Sequence, residues 1–254
     1  MTRVLGVALN TFKETIRDRV LLVVVLFAMA MIVASLWLAS ISLGQQQRMM
    51  VDFGLVAVSA FAVLVAVFVS AGLLHKEIEK RTVFMLFSKP VGRGEFIWGK
   101  FAGLSATMGA VVAGMGIFLF LLAWLVTGHA IGWVLAATAL IYLQVLVVMA
   151  VTILFSTFSS AILASVLGIC VFAAGQLSHN VLSLTRFGHG AALRGLSWLV
   201  FVIVPNMSAV DVKAAAVGEV PPHWSQVAAW GGYLAAYAVV ALALATLIFR
   251  RREF

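Results

Sequence analysis

Two groups of residues in this chain have the types that could do chemistry. Gly94, Gly99 and Lys100 reproduce the spacing of a phosphate-binding loop, with four residues between the glycines. Such a loop cradles phosphates on backbone N–H groups, and the Ser or Thr after the lysine holds magnesium. Here that position is Phe101, the loop interior is Glu95-Phe96-Ile97-Trp98, no strand precedes it, and an apolar run follows. The match is read as coincidence: the lone chain is expected neither to bind nor to hydrolyse ATP, and to hold no cofactor of its own. The second group is His179, His189 and His223 with Met207 between them. Imidazole and thioether suit copper, but the spacing is not that of a ligand set, and His75 and His129 lie elsewhere. They read as ordinary loop histidines, with no metal expected. No Ser–His–Asp set, HExxH or paired membrane carboxylates point to an enzyme.

The informative residues are those of HKEIEKRTVFMLFSKPVGRGEFIWGK, positions 75–100, which carry nine of the chain's 26 charged residues (17 basic plus 9 acidic) between two long apolar runs. A charged, partly amphipathic hairpin is not needed to anchor a membrane protein. It is the kind of surface on which a cytoplasmic partner docks. The stretch from Glu77 to Phe87 is expected to be a helix along the membrane surface that ends before Pro90, because the residue before proline avoids helical angles. Ile78, Thr82, Met85 and Leu86 then fall near one face, while Glu79 and Lys80 point elsewhere.

The elements that must position this hairpin follow from composition. Of 254 residues, 64% are hydrophobic and 10% charged, against about 25% charged in a soluble domain. Apolar runs of about 20 residues without charge read as transmembrane helices. The runs lack the alternation of barrel strands, so the expected class is an all-α integral membrane protein forming one permease-like domain over 1–254. Six spans are drawn at 20–43, 53–74, 101–126, 133–155, 161–178 and 227–249, the fifth continuing past Ser178. The net charge of +8 is explained by loop bias and does not call for nucleic acid. Cys170, the single cysteine, excludes an intramolecular disulfide.

Lys and Arg set the orientation. Arg3, Lys13, Arg17, Arg19, Lys76, Lys80, Arg81, Lys89, Arg93, Lys100, Arg250, Arg251 and Arg252 fall on one side, and Arg48, Arg186, Arg194 and Lys213 on the other. Thirteen against four puts both termini and 75–100 in the cytoplasm. Trp124, Trp133 and Trp230 mark the outer interface and Trp98 the inner one. Residues 1–19 are too charged before the first span for a signal peptide. Leu5, Ala8, Leu9, Phe12 and Ile16 recur at helical spacing opposite Arg3, Asn10, Lys13, Glu14 and Arg17, which reads as an interfacial helix. In the external segment 179–226, the apolar stretch 196–204 is too short to span and stops at Pro205. Short helices dipping into the outer leaflet and a simple external cap fit it equally well.

Ionisable residues are absent from the interior of the drawn spans, where Gln144 and Gln176 are the strongest polar groups. Ion-coupled carriers usually need buried carboxylates, histidines or broken helices, so energy for transport would come from outside the chain. Gly99, Gly103, Ala106, Ala110 and Gly114 form a small-residue stretch. Gly99–Gly103 is a GxxxG pair, expected to mark a tight helix–helix contact within one chain.

The 75–100 segment resembles the cytoplasmic loop of ABC-2-type permeases, the membrane subunits of many bacterial ABC exporters. Their E-x-E-[KR]-x-T, S-[KR]-P-[VI], R-x-x-[FI] and G-K elements read here as Glu77-Ile78-Glu79-Lys80-Arg81-Thr82, Ser88-Lys89-Pro90-Val91, Arg93-Gly94-Glu95-Phe96 and Gly99-Lys100. The N-terminal ALNTFKETIRDR, the LFSTFSSA turn at 154–161, the long connection before the last span and the terminal FRRREF extend the similarity over the whole chain. Arg81 departs from the pattern, standing where many members carry Gly. Among subfamilies the chain looks closest to the permease of the nitrous-oxide-reductase maturation transporter and its relatives.

The resemblance implies a multi-pass subunit of the bacterial inner membrane, working as a homodimer or pseudo-dimer with two separate ATPase subunits that supply ATP and Mg. The loop helix would be the coupling helix. Its docking residues would be Glu77, Ile78, Glu79, Lys80, Arg81, Thr82, Phe84, Met85, Phe87, Ser88, Lys89 and Pro90. ATP-driven closure of the ATPases would then drive export by alternating access, with room for a periplasmic partner and with membrane lipid around the spans. The competing readings are a non-transporting scaffold or assembly factor, which uses docking loops as well, and a secondary carrier, which needs a polar path.

Orientation gives a direct test. Cysteines placed at Ser88 and Ser225 should react with an impermeant maleimide from the cytoplasmic and external sides respectively, and labelling of position 88 only from outside would contradict the topology.

Overall fold

Lipid offers no hydrogen bonds to the backbone, so a chain this apolar must satisfy every N–H and C=O internally, and the structure, a computed structural model, does so with helices. It describes residues 2–41, 46–79, 93–128, 132–184, 205–207 and 224–251. Its helices are α1 (Thr2–Ile16), α2 (Arg19–Ile41), α3 (Gln46–Glu79), α4 (Arg93–Thr127), α5 (Gly132–Ser156), α6 (Ala161–Leu184) and α7 (Trp224–Arg251). No strand occurs among the described residues. Four segments are each long and apolar enough to cross a membrane: Gln46–Gly72, Gly94–Val126, Gly132–Ser156 and Ser225–Phe249. The axes of Val4–Ile16 and Leu21–Trp37 meet at 61° and form a bent pair, and Ala161–Leu177 is a shorter apolar helix.

The helices outrun the apolar stretches that nucleate them. α3 has 34 residues and α4 has 35, about 51–53 Å at 1.5 Å per residue against a hydrocarbon core of about 30 Å. Charge ends a stretch that can lie in lipid, but it does not end the i→i−4 ladder. Arg48, Asp52, Glu95 and Lys100 are therefore helical residues, and the boundaries drawn at 53 and 101 fall several residues inside their helices. Lys100 is only 6% exposed, with its ammonium 4.9 Å from the centre of the Phe96 ring one turn earlier. The other ends have local causes. Gly128 takes φ +71° after α4 and its N–H bonds Trp124 O at 2.9 Å, the left-handed closure that glycine permits. In the LFSTFSSA turn, the Ser159 N–H bonds Phe155 O at 2.9 Å and the Ser160 hydroxyl accepts the Leu163 N–H at 3.4 Å, capping α6.

The core sits between α3 and α5. α5 is the central element, packed against α3, α4, α6 and α7, while α2 leans on α3 and turns Leu22, Leu26, Met31 and Trp37 outward. Val145, Val147, Val148, Met149 and Ala150 are fully buried on α5. Small residues let the helices close: a side chain at Gly116 would strike Thr138, and one at Gly168 would strike Thr152.

α1 packs chiefly on the start of α4, and the GxxxG pair lies at that contact. A β-carbon on Gly99 would fall 2.9 Å from Val7 Cβ, and one on Gly103 would fall 2.7 Å from Thr11 Cβ and into the Ala8 carbonyl. The expected tight contact within one chain is thus present, and its partner is the N-terminal helix. The structure adds a second face to the apolar stripe read from sequence. The side of α1 against α4 carries Val4, Val7, Ala8, Thr11 and Thr15, with both threonines buried. Leu5, Leu9 and Ile16 are exposed on a second side, and Lys13, Glu14 and Arg17 are exposed on a third. Periodicity locates an apolar stripe without saying whether lipid or protein covers it.

Glycine substitutions should separate these roles. Gly103→Ala drives a methyl into backbone and should lower stability in detergent by about 1–3 kcal/mol, the usual cost of overpacking. Gly114→Ala meets nothing within 4 Å and should be neutral or stabilising by up to about 1 kcal/mol. Thermal unfolding followed by Trp fluorescence reads both.

Candidate functional site

The charged segment 75–100 joins two long helices. Glu77, Ile78 and Glu79 form the end of α3, and α4 begins at Arg93. The other residues expected to dock a partner, Lys80, Arg81, Thr82, Phe84, Met85, Phe87, Ser88, Lys89 and Pro90, lie outside the described residues, as does the surface helix expected through Phe87. What is described is the mounting. α3 and α4 pack against each other, and each packs against α5. At the root of α4, Phe96 and Ile97 are buried and Trp98 is 37% exposed. The next residues, Gly99 and Gly103, are gripped by α1. Residues Gly94–Lys100 are therefore turns of a helix, not a phosphate-cradling loop.

The opposite feature is a pinned piece of the segment between α6 and α7. Pro205 and Met207 are buried, Met207 completely. The amide nitrogen of Gln144, at the middle of α5, donates to Met207 O at 3.0 Å. The Met207 N–H donates to Gly175 O on α6 at 3.3 Å, and the Asn206 N–H donates to the Tyr233 hydroxyl on α7 at 3.2 Å. Gly175 makes room: a β-carbon there would lie 2.7 Å from Pro205 O and 3.1 Å from Met207 Cγ. Residues 205–207 thus enter the bundle to the depth of a mid-helix residue and are held by α5, α6 and α7. This is the behaviour of irregular backbone at membrane depth, tolerated where protein buries it. The apolar stretch 196–204 and Gln176's half-buried neighbourhood do not reveal it in sequence; the polar Gln144 inside an apolar run is the one signal. His189 and His223 lie outside the described residues, and His179 falls in α6.

Two further cross-links radiate from α5. The Tyr142 hydroxyl donates to Ser105 O on α4 at 3.0 Å, and the Ser156 hydroxyl donates to Ala71 O on α3 at 3.2 Å. One helix is therefore bonded by side chains to both arms of the charged hairpin and to the pinned segment.

The arrangement can act mechanically. Its contacts run from α3 and α4 to α1 through the glycine pair, to α5 through Ser156 and Tyr142, and to residues 205–207 through Gln144.

Residues 5–254 match a family described as ABC-2 family transporter protein. Over 137 residues the chain is 27% identical to the probable ABC transporter permease protein NosY of Stutzerimonas stutzeri, covering 52% of this chain and 50% of that protein. The chain thus spans about half the length of this curated relative.

Release of the pinned segment is measurable. In a Cys170→Ala background, because that thiol is exposed, a cysteine at Asn206 should label slowly with a maleimide. Gln144→Leu should raise the rate about 3- to 18-fold, the range set by hydrogen bonds of about 0.6–1.7 kcal/mol within membranes. Tyr233→Phe, which removes a bond at a 44% exposed residue, should have the smaller effect.

Proposed function

The chain belongs to the ABC-2 transporter family, and from that premise we propose that it is the transmembrane subunit of an ABC exporter, driven by a separate cytoplasmic ATPase. It crosses the bacterial inner membrane six times, with both termini and residues 75–100 in the cytoplasm. It works as a homodimer with two ATPase subunits, which carry the ATP and Mg. α2 and α6 complete the six crossings beside the four long apolar helices, and α1 lies along the inner interface with Leu5, Leu9 and Ile16 in lipid.

The observation that carries this reading is the family match over residues 5–254, together with the placing of the docking motif between two helices far longer than a bilayer. Helices that project beyond the membrane bring the hairpin to a partner in the cytoplasm and convert its movement into tilt or rotation of α3 and α4. The turn Glu77–Glu79 continues α3, so the docking residues Lys80 to Pro90 start directly from a rigid rod. ATP-driven closure of the ATPase pair pushes on this hairpin. The alternating-access cycle then moves α3 and α4 relative to α7, with α5 as the shared neighbour. Residues 205–207 form the external counterpart, holding the outer ends of α6 and α7 to α5.

Docking energy should reside in the apolar side chains of the hairpin. Burying one fully is worth about 1.5–3 kcal/mol, whereas an exposed ion pair adds about 0–1 kcal/mol. Replacing Phe84, Met85 and Phe87 together by Ala should abolish co-purification of the ATPase, or uncouple its turnover from transport, while the permease still inserts and folds. Glu79→Ala alone should be milder. Unchanged co-purification and unchanged ATP turnover in the triple variant would remove the coupling role from this loop.

A further inference from the structure

An apolar cleft of about 250 Å³ opens sideways between α2 and α3, with no polar surface on its walls. Leu21 and Phe27 line it from α2, and Phe61, Val65 and Phe68 from α3. Phe27 and Phe61 meet edge to face, with centroids 5.4 Å apart at 72°. Phe27 and Phe68 are each more than half exposed, so the aromatic walls are not closed by protein. α2 has few other neighbours: it packs on α3 and only lightly on α4 and α1.

Charge and depth identify what fills the cleft. Arg17 and Arg19 are exposed at the elbow between α1 and α2. Arg19 stands one helical turn before Val23, another wall residue. Glu14 and Asp18 share this elbow with Lys13, Arg17 and Arg19, leaving it one positive charge in excess. The exposed Leu5, Leu9 and Ile16 stripe of α1 sets the elbow at headgroup level. From there Phe27 is eight residues deeper than Arg19, about 12 Å along the helix, where acyl chains begin. Among apolar walls in lipid there is no hydrophobic drive to select one apolar occupant over another, so selectivity has to come from the headgroup.

We propose that the α2–α3 cleft is a binding site for an anionic glycerophospholipid. One acyl chain lies between Phe27, Phe61 and Phe68, and the phosphate rests on Arg17 and Arg19. The bound lipid completes the packing of α2, the helix least held by protein. Which leaflet supplies the lipid rests on the topology proposed above; binding itself does not.

Native mass spectrometry of the purified full-length chain, delipidated and then titrated with phosphatidylglycerol or phosphatidylcholine, tests this. The wild type should retain one phosphatidylglycerol per chain with a preference of about tenfold or more over phosphatidylcholine, in line with two cations near an anionic headgroup. Arg17→Gln with Arg19→Gln should bring the two lipids to near equality, while Arg250→Gln with Arg251→Gln should keep the wild-type preference. Val24→Phe with Val65→Phe, which fills the cleft, should lose the retained lipid of either kind. Equal preference in wild type and the Arg17/Arg19 variant overturns the proposal. So does a cleft-filled variant that keeps its lipid, or one that loses dimer mass in place of lipid, since a second copy of the chain would then be the occupant. Should the filled variant fail to fold, the arginine pair still decides. Maleimide labelling at positions 88 and 225 scores the topology independently, so an inverted orientation is distinguishable from a cleft that binds no lipid.

Discussion

Helices in lipid cannot be drawn together by the hydrophobic effect, because lipid tails are as apolar as leucine. Everything in this bundle therefore depends on how α5 is held at its centre. It is held by close approach and by three side chains that bond to the backbone of other segments. Glycines at 116 and 168 admit Thr138 and Thr152 of α5. Tyr142, Ser156 and Gln144 reach carbonyls on α4, on α3 and at Met207. The threonines of α5 spend their own protons locally, Thr138 on Val134 O and Thr152 on Val148 O, both at 2.8 Å. They fill space without leaving a polar group unmet. The interhelical bonds fall at different heights on one helix, so they fix its rotation as well as its neighbours.

That central grip explains why the periphery can be loose. α2 makes most of its contacts with a single neighbour, and α6 turns Ile162, Leu163, Val166 and Ile169 outward. The residues that meet lipid and those that meet protein are drawn from the same alphabet of Leu, Ile, Val and Phe. Bilayer solvent permits this, whereas in water such a surface would drive aggregation.

The same fact marks how far the sequence could be read. The all-helical class and the small-residue contact at Gly99 and Gly103 were legible, since length, apolarity and spacing each carry a local signal. The partner of that contact was not, because α1 lies more than eighty residues earlier and its Val4, Val7, Thr11 and Thr15 row is less hydrophobic than the Leu5, Leu9, Ile16 row that faces away. The span limits drawn at 53 and 101 do not mark helix ends, because charge ends only the lipid-compatible part of a helix. Gln144 stood out as polar, yet its partner is a main-chain carbonyl 63 residues on, and a carbonyl has no sequence signature. Of the candidate site, the charged segment 75–100 was wholly a matter of sequence, while the packing of α3, α4 and α1 beside it needed three dimensions.

The α1–α4 contact also has a consequence in time. α1 is translated well before α4, so it lacks its main partner until Gly103 has been made. At about 5–20 residues per second, the 87 residues from Ile16 to Gly103 take roughly 4–17 s. Through that interval the first helix must wait without its protein neighbour. Its exposed Leu5, Leu9 and Ile16 side, apart from exposed Lys13 and Arg17, makes it amphipathic by itself in the meantime. The order of synthesis is thus opposite to the order of locking: α1 is made before α4 but is seated only when α4 emerges.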